Sequence, residues 1–232
     1  KWLWASMGRL AKRAQADPAL APAIPKGGLI AALQAVVERL ERKPEIVRIE
    51  DPRTGQPVSV TLGADDVRKL MASRGLMGET REERLGNWPR FVLEMARGDL
   101  RYVAAKTLES RRGEGAGEPL IGVLIDNSLG ITAKRDTQLL AEREARWLGD
   151  INAEYHDTRD LTPTPDVGDA FRADWPIEVP VLLVHGDLDW STPLENARHL
   201  RSHLKQGHLI EVEGGTHCDE DVVMPRDRRP EM

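Results

Sequence analysis

The stretch from Pro180 to Val212 constrains the fold more than any other part of the chain. Pro180-Val181-Leu182-Leu183-Val184-His185 is a continuous apolar run, the pattern of a strand buried on both faces of a parallel sheet. The loop Gly186-Asp187-Leu188-Asp189 follows, then a helical segment from Pro193 to about Lys205, then a second run, His208-Leu209-Ile210-Glu211-Val212. Parallel strands need a crossover of about a dozen residues or more, usually a helix, and this spacing supplies one. Thr192, Pro193 and Glu195 fit the start of that helix as N-cap, first-turn proline and capping-box partner. An α/β fold with a parallel βαβ unit is therefore expected here.

Residues 1 to 112 read differently. Leu3, Met7, Leu10 and Ala14 recur at helical spacing, as do Leu29, Leu33, Val36, Val37 and Leu40, so both segments predict amphipathic helices. One interruption, Ile46 to Ile49, then Asp51-Pro52-Arg53-Thr54-Gly55, then Val58 to Leu62, predicts a small β-hairpin. Further helices are expected around Asp66 to Ser73, Arg81 to Arg97 and Leu100 to Arg111. The glycine-rich segment Gly113 to Glu118 reads as a connector, because its two carboxylates would repel a phosphate and no Lys-Ser or Lys-Thr pair follows. Leu120 to Ile125 is a short apolar run expected as a strand, a helix is expected near Thr137 to Trp147, and the Asp, Thr and Pro-rich stretch from Tyr155 to Ala173 is expected as a long loop.

Composition removes several classes of partner. A net charge of -5 leaves no basic excess for a nucleic-acid backbone, and Lys and Arg are scattered rather than pooled in one stripe. No apolar run approaches the roughly 18 to 20 residues needed to cross a bilayer, so no membrane partner is expected. Cys218 is the single cysteine, which excludes an intrachain disulfide. The sequence opens on Lys1 and Trp2-Leu3-Trp4 with no leader pattern, so the start reads as internal to a longer protein.

Reactive groups on an open parallel sheet gather where loops leave the carboxyl ends of strands. Asp189 follows the first strand, and His217, in Glu213-Gly214-Gly215-Thr216-His217, follows the second. An acid that orients an imidazole, and an imidazole that takes a proton from a hydroxyl, make two thirds of a Ser-His-Asp system, in the chain order acid then base. Asp187 is the residue most easily confused with Asp189, as a turn carboxylate or an outer acceptor. Ser191 and Thr192 are expected as helix caps. His199 and His203 share a helix face at metal-ligand spacing, but without a His-Glu-x-x-His pattern they are expected to be a solvated surface. Cys218 is expected as a small packed side chain.

The run Pro180 to Pro193, with Asp189-Trp190-Ser191-Thr192-Pro193 at its end, followed by Gly214-Gly215-Thr216-His217, resembles the C-terminal part of the α/β-hydrolases of the proline iminopeptidase and tripeptidyl aminopeptidase group. The Asp-x-x-Thr-Pro form is similar to the tripeptidyl aminopeptidase branch. Ala96-Arg97-Gly98-Asp99 and Gly122 to Arg135 are loosely similar to that branch's lid. The resemblance implies a helical lid or cap over 1–118 containing the hairpin, a connecting strand, helix and loop over 119–174, the C-terminal core over 175–218, and a polar tail over 219–232. It implies Asp189 as triad acid and His217 as base. It also implies that carboxylates near the lid hold the substrate's free amino terminus, for which Asp126 is the candidate, with Trp190 and Trp175 as pocket walls or as packing residues.

Several features depart from that pattern. No Gly-x-Ser-x-Gly elbow occurs in the sequence, and no early His-Gly oxyanion loop; His185-Gly186 lies on the acid-bearing strand and reads as structural. The charged stretch from Asp219 to Met232 stands where the family places a helix. Asp126-Asn127-Ser128-Leu129-Gly130 offers a degenerate elbow with Ser128 as nucleophile, the alternative being a polar strand-to-helix turn. The expectation is a serine aminopeptidase fragment whose nucleophile lies in a preceding half of the same protein, inactive alone, with a peptide or small-molecule substrate, no cofactor and no metal. Two alternatives stand beside it: a hydrolase of an ester, epoxide or halide, and a non-catalytic helical binding module.

Overall fold

The computed structural model describes residues 2–72, 81–113, 120–142, 145–149, 153–161 and 164–217. In chain order the elements are α1 (Trp2–Ala16), α2 (Gly28–Arg42), β1 (Glu45–Glu50), β2 (Pro57–Leu62), α3 (Ala64–Ala72), α4 (Arg81–Ala96), α5 (Arg101–Arg111) and α6 (Leu120–Leu129). Then come α7 (Ala133–Leu140), α8 (Ala145–Leu148), α9 (Ala153–Thr158), α10 (Asp169–Arg172), β3 (Val181–Gly186), α11 (Leu194–Ser202) and β4 (Gly207–Val212). Contacts divide the chain into two compact units that are discontinuous in sequence. The first is Lys1–Leu33, Arg74–Arg97 and Asp174–Met232; the second is Gln34–Ser73 and Gly98–Ala173.

The first unit is built around β3, α11 and β4. The two strands pair in parallel, Val181 opposite Gly207 through Gly186 opposite Val212, with α11 as the crossover packed on both. This is the expected βαβ unit. α1 and α4 pack on one another, and α1 also packs on α11. The apolar stripe of α1, Leu3, Met7, Leu10 and Ala14, is buried, as are Trp88, Val92 and Met95 of α4 and Leu194 and Ala197 of α11. Burial of a Leu or Met side chain of this kind contributes about 1.5 to 3 kcal/mol, which makes these stripes the main stabilising element of the unit. The strands are less covered than their composition predicts: Leu182 is 61% exposed and Ile210 51% exposed. A parallel sheet of two strands has only α11 and its loops to cover it, so Leu182 and Ile210 face outward.

In the second unit β1 and β2 form the expected antiparallel hairpin, Ile46 opposite Thr61 and Ile49 opposite Val58. α5 packs against both strands and against α3. The turn is organised by Asp51, whose carboxylate accepts from the Arg53 amide at 3.0 Å and the Thr54 hydroxyl at 2.8 Å, while Gly55 takes the positive φ of +67°. Arg112 closes a bidentate pair on the same carboxylate at 2.9 and 2.8 Å. That guanidinium, followed by the Arg53 amide, holds the Asp51 carboxyl well below the usual range against the opposing effect of burial. The hairpin is thereby locked to the end of α5 by a charge-assisted fork.

Two expectations in this unit need correction. Leu120 to Ile125, expected as a strand, is the first half of α6. A short apolar run without alternation carries no period, and ten consecutive residues of the run and its continuation close helical bonds instead. Tyr155 to Ala173, expected as a loop, begins inside α9 and ends with the turn of α10. Ser73, Glu114 to Glu118, Cys218 and the tail from Asp219 to Met232 lie outside the described residues. No single helix among the described residues is long and apolar enough to cross a membrane.

Candidate active site

The loops after β3 and β4 meet because two glycines let their backbones touch. A Cβ on Gly186 would overlap the Gly215 carbonyl group and lie 2.9 Å from the Thr216 oxygen, and a Cβ on Gly215 would lie 2.9 Å from the Gly186 Cα. Only glycine fits on either side of this contact. Backbone bonds then stitch the loops: Asp187 N donates to Val212 O at 3.1 Å and Leu188 N to Gly215 O at 2.9 Å. Asp187 adds a side-chain tie, its Oδ1 accepting from the Gly214 amide at 2.7 Å, where Gly214 takes a φ of +73°. Asp187 is thus the carboxylate that shapes the histidine loop.

Asp189 occupies a different place. It is 2% exposed, and its Oδ2 lies 3.0 Å from His217 Nδ1. The Thr192 amide donates to Oδ1 at 2.8 Å and the Thr192 hydroxyl to Oδ2 at 2.7 Å. His185 Nε2 stands 3.5 Å from Oδ2, at ion-pair distance, while its Nδ1 faces the Gly186 carbonyl oxygen at 3.0 Å. A buried carboxylate is costly unless its lone pairs are met, and here Thr192 and His217 meet them. Thr192 therefore serves the acid and does not cap α11. The residue at the N-cap is Pro193, with no side-chain cap bond, and Glu195, expected as a capping partner, is turned to Arg9. The Thr192 hydroxyl, which as a cap would accept from a backbone amide, instead donates to the Asp189 carboxylate.

One polar line on α1, absent from the sequence-based reading, braces this loop. Ser6 is buried and donates its hydroxyl to the Asp189 carbonyl oxygen at 2.8 Å. Arg9 donates to the Asp187 carbonyl oxygen at 2.6 Å, to the Ser6 hydroxyl at 2.8 Å and to both Glu195 oxygens at 2.6 and 3.2 Å. Arg13 reaches Asp187 Oδ2 at 3.4 Å. Burial alone raises the Glu195 carboxyl, but the Arg9 bond, the backbone amide and the Arg9 and Arg198 charges outweigh it and hold the group below its ordinary value. The spacing of Ser6, Arg9 and Arg13 is the helical signal that could have flagged this face, since residues three, four and seven apart share one side.

The remaining candidates fall elsewhere. Trp190, expected as a pocket wall or a packing residue, is 4% exposed and meets Trp88 edge to face, with ring centroids 6.3 Å apart. It packs in the core behind the acid. Trp175 is half exposed. Asp126 and Ser128 both lie on α6 in the second unit, Asp126 exposed and Ser128 donating its hydroxyl to the Pro165 carbonyl oxygen at 2.6 Å. A nucleophile elbow is a sharp strand-to-helix turn, and the ninth residue of a ten-residue helix is not one. The same unit has a polar cleft of about 550 Å³ whose walls include Asn127, Thr132, Tyr155, Arg159 and Arg172.

What the Asp189–His217 pair can do is limited and definite. A carboxylate bonded to Nδ1 fixes the imidazole tautomer and leaves Nε2 with its lone pair, the form that accepts a proton from a hydroxyl. No curated protein and no solved structure matches the chain. Residues 155–221, which contain β3, α11, β4, Asp189 and His217, match the model of the α/β-hydrolase family described as TAP-like protein, and this match supports a place for that segment in the α/β-hydrolase superfamily.

Proposed function

We propose that Asp189 and His217 are the acid and base of a serine-hydrolase triad, and that the hydrolase releases residues or short peptides from a free amino terminus. The observation that carries this reading is the 3.0 Å contact between Asp189 Oδ2 and His217 Nδ1, within the segment that matches the hydrolase family. Asp189 holds the imidazole through Nδ1–H. His217 Nε2 takes the proton from a serine hydroxyl as that oxygen attacks the substrate carbonyl, and returns it to the leaving amine. The acyl-enzyme formed is then cleaved by water through the same base. The serine belongs to a segment outside this sequence, since no Gly-x-Ser-x-Gly is present and Ser128 sits on a helix.

The reading is tested by the coding frame upstream of Lys1. It predicts a strand, Gly-x-Ser-x-Gly and a helix within about 150 residues, the length of a typical domain. An in-frame stop or an unrelated segment there sinks the triad for this chain and leaves the non-catalytic binding module. Assays of the full gene product on amino-terminal peptide anilides against simple esters then separate the aminopeptidase from an esterase.

A further inference from the structure

His199 and His203 stand one helical turn apart at the end of α11, and the structure brings a third ligand to them from another segment. Asp174 Oδ1 lies 3.1 Å from His199 Nε2 and 3.7 Å from His203 Nε2, and the three ligand atoms all fall within 4.8 Å of one another. Ligands about 2.0 to 2.2 Å from a tetrahedral ion are ~3.3 to 3.6 Å apart, so two of these spacings already bracket the required one. We propose that Asp174, His199 and His203 form a binding site for a divalent transition ion of the zinc class.

The ligand set selects the ion. Two imidazoles and one carboxylate suit zinc, cobalt, nickel or copper, whereas calcium and magnesium call for oxygen donors throughout. Three protein ligands leave a further position to water, and the exposure of Asp174 and His199 gives the ion a direct path in. The frame beneath the site is fixed rather than free. Ile177 N donates to the His203 carbonyl oxygen at 2.8 Å, Lys205 N donates to the Ile177 carbonyl oxygen at 2.9 Å, and Leu204 is buried beneath the bridge it makes with Ile177. Asp174, three residues before Ile177, is thus tethered beside the last turn of α11. The His199 and His203 rings meet edge to face with centroids 4.9 Å apart, so a small rotation brings both Nε2 atoms onto one ion. A bound ion would clamp the segment entering β3 to the crossover helix. The site is independent of the hydrolase reading, because none of its ligands touches Asp189 or His217 in that account.

The test is a zinc titration of the tag-free protein by calorimetry, with visible absorption of the cobalt-substituted form as a second readout. The expected result is one ion per chain, a cobalt spectrum of low-symmetry coordination, and a rise in melting temperature on zinc addition. His203→Ala and Asp174→Asn each weaken binding by more than the ~10 to 100-fold that outer partners of metal ligands cost. His208→Ala, an exposed histidine on β4 outside the cluster, leaves binding unchanged. All three ligands are exposed or half-buried, and circular dichroism of each variant verifies its fold. Absence of saturable binding overturns the proposal, as does binding indifferent to both substitutions. Loss with His203→Ala but not with Asp174→Asn also overturns it, by removing the carboxylate from the site.

Discussion

At the scale of single residues, the site depends on what is absent at position 186 as much as on what is present at 189 and 217. Gly186 and Gly215 pack backbone to backbone, and any side chain at 186 drives the two loops apart. Gly186→Ala is therefore expected to destabilise the protein by about 1 to 3 kcal/mol, the usual cost of overpacking, read as a lower midpoint in urea unfolding. The same substitution separates Asp189 from His217, so the low-field NMR signal of a proton between them should weaken or vanish. An unchanged midpoint and signal would show that the glycine contact does not set the geometry. Asp189 and His217 were legible from their places after two apolar runs, and the Asp-x-x-Thr-Pro spacing was legible as a motif. The use of Thr192 was not, because a threonine before a helix can accept from a backbone amide as a cap or donate to a carboxylate, and only the fold shows that the carboxylate is in reach.

At the scale of elements, α1 acts as a brace on the acid loop through Ser6, Arg9 and Arg13. Arg9→Met keeps the length and apolar stem but leaves Glu195 and the Asp187 carbonyl without their donor. An expected loss of about 1 to 2 kcal/mol follows from charge-assisted bonds of this kind, smaller than a fully buried pair because both side chains keep some solvent. The pH dependence has a definite sign. The Glu195 carboxyl is held below its ordinary value of 4.5, so the stabilisation is fully present above about pH 4.5 and is lost as pH falls through the lower folded value. The stability gap between wild type and Arg9→Met should then close on acidification below pH 4.5, and a gap constant from pH 7 to 3 would remove Glu195 from the account. Periodicity made most elements legible: α1, α2, the β1–β2 hairpin, α4, α5 and the βαβ unit lie where spacing places them. α6 was not, because Leu120 to Ile125 has neither the alternation of a strand nor the spaced stripe of a helix, and its exposed Leu120, Ile121 and Ile125 give no buried face to read.

At the scale of the whole molecule, the grouping of elements escapes a linear reading. α1 and α4 share a unit with the segment from Asp174 onward although Gly98–Ala173, which belongs to the other unit, lies between them in sequence, and no composition shift marks such long-range packing. The strand pair β3–β4 carries exposed apolar side chains at Leu182 and Ile210, more than a two-stranded sheet conceals. Chains with such patches bind apolar dyes and self-associate. The chain by itself should therefore enhance the fluorescence of an apolar dye in its folded state, and Leu182→Lys with Ile210→Lys should lower that signal without loss of helical circular dichroism. A wild-type signal no greater than that of the double variant would show that this face is covered.

The central claim is that Asp189 orients His217 for catalysis, and steady-state kinetics of the full gene product carrying Asp189→Asn test it most directly. An amide in place of the carboxylate keeps the shape and the bond from the Thr192 amide but replaces the oxygen facing the Thr192 hydroxyl and His217 by an NH2 donor and removes the charge that fixes the Nδ1–H tautomer, so a drop in kcat of about 10⁴ is predicted. Turnover by that variant at the wild-type rate would contradict the account.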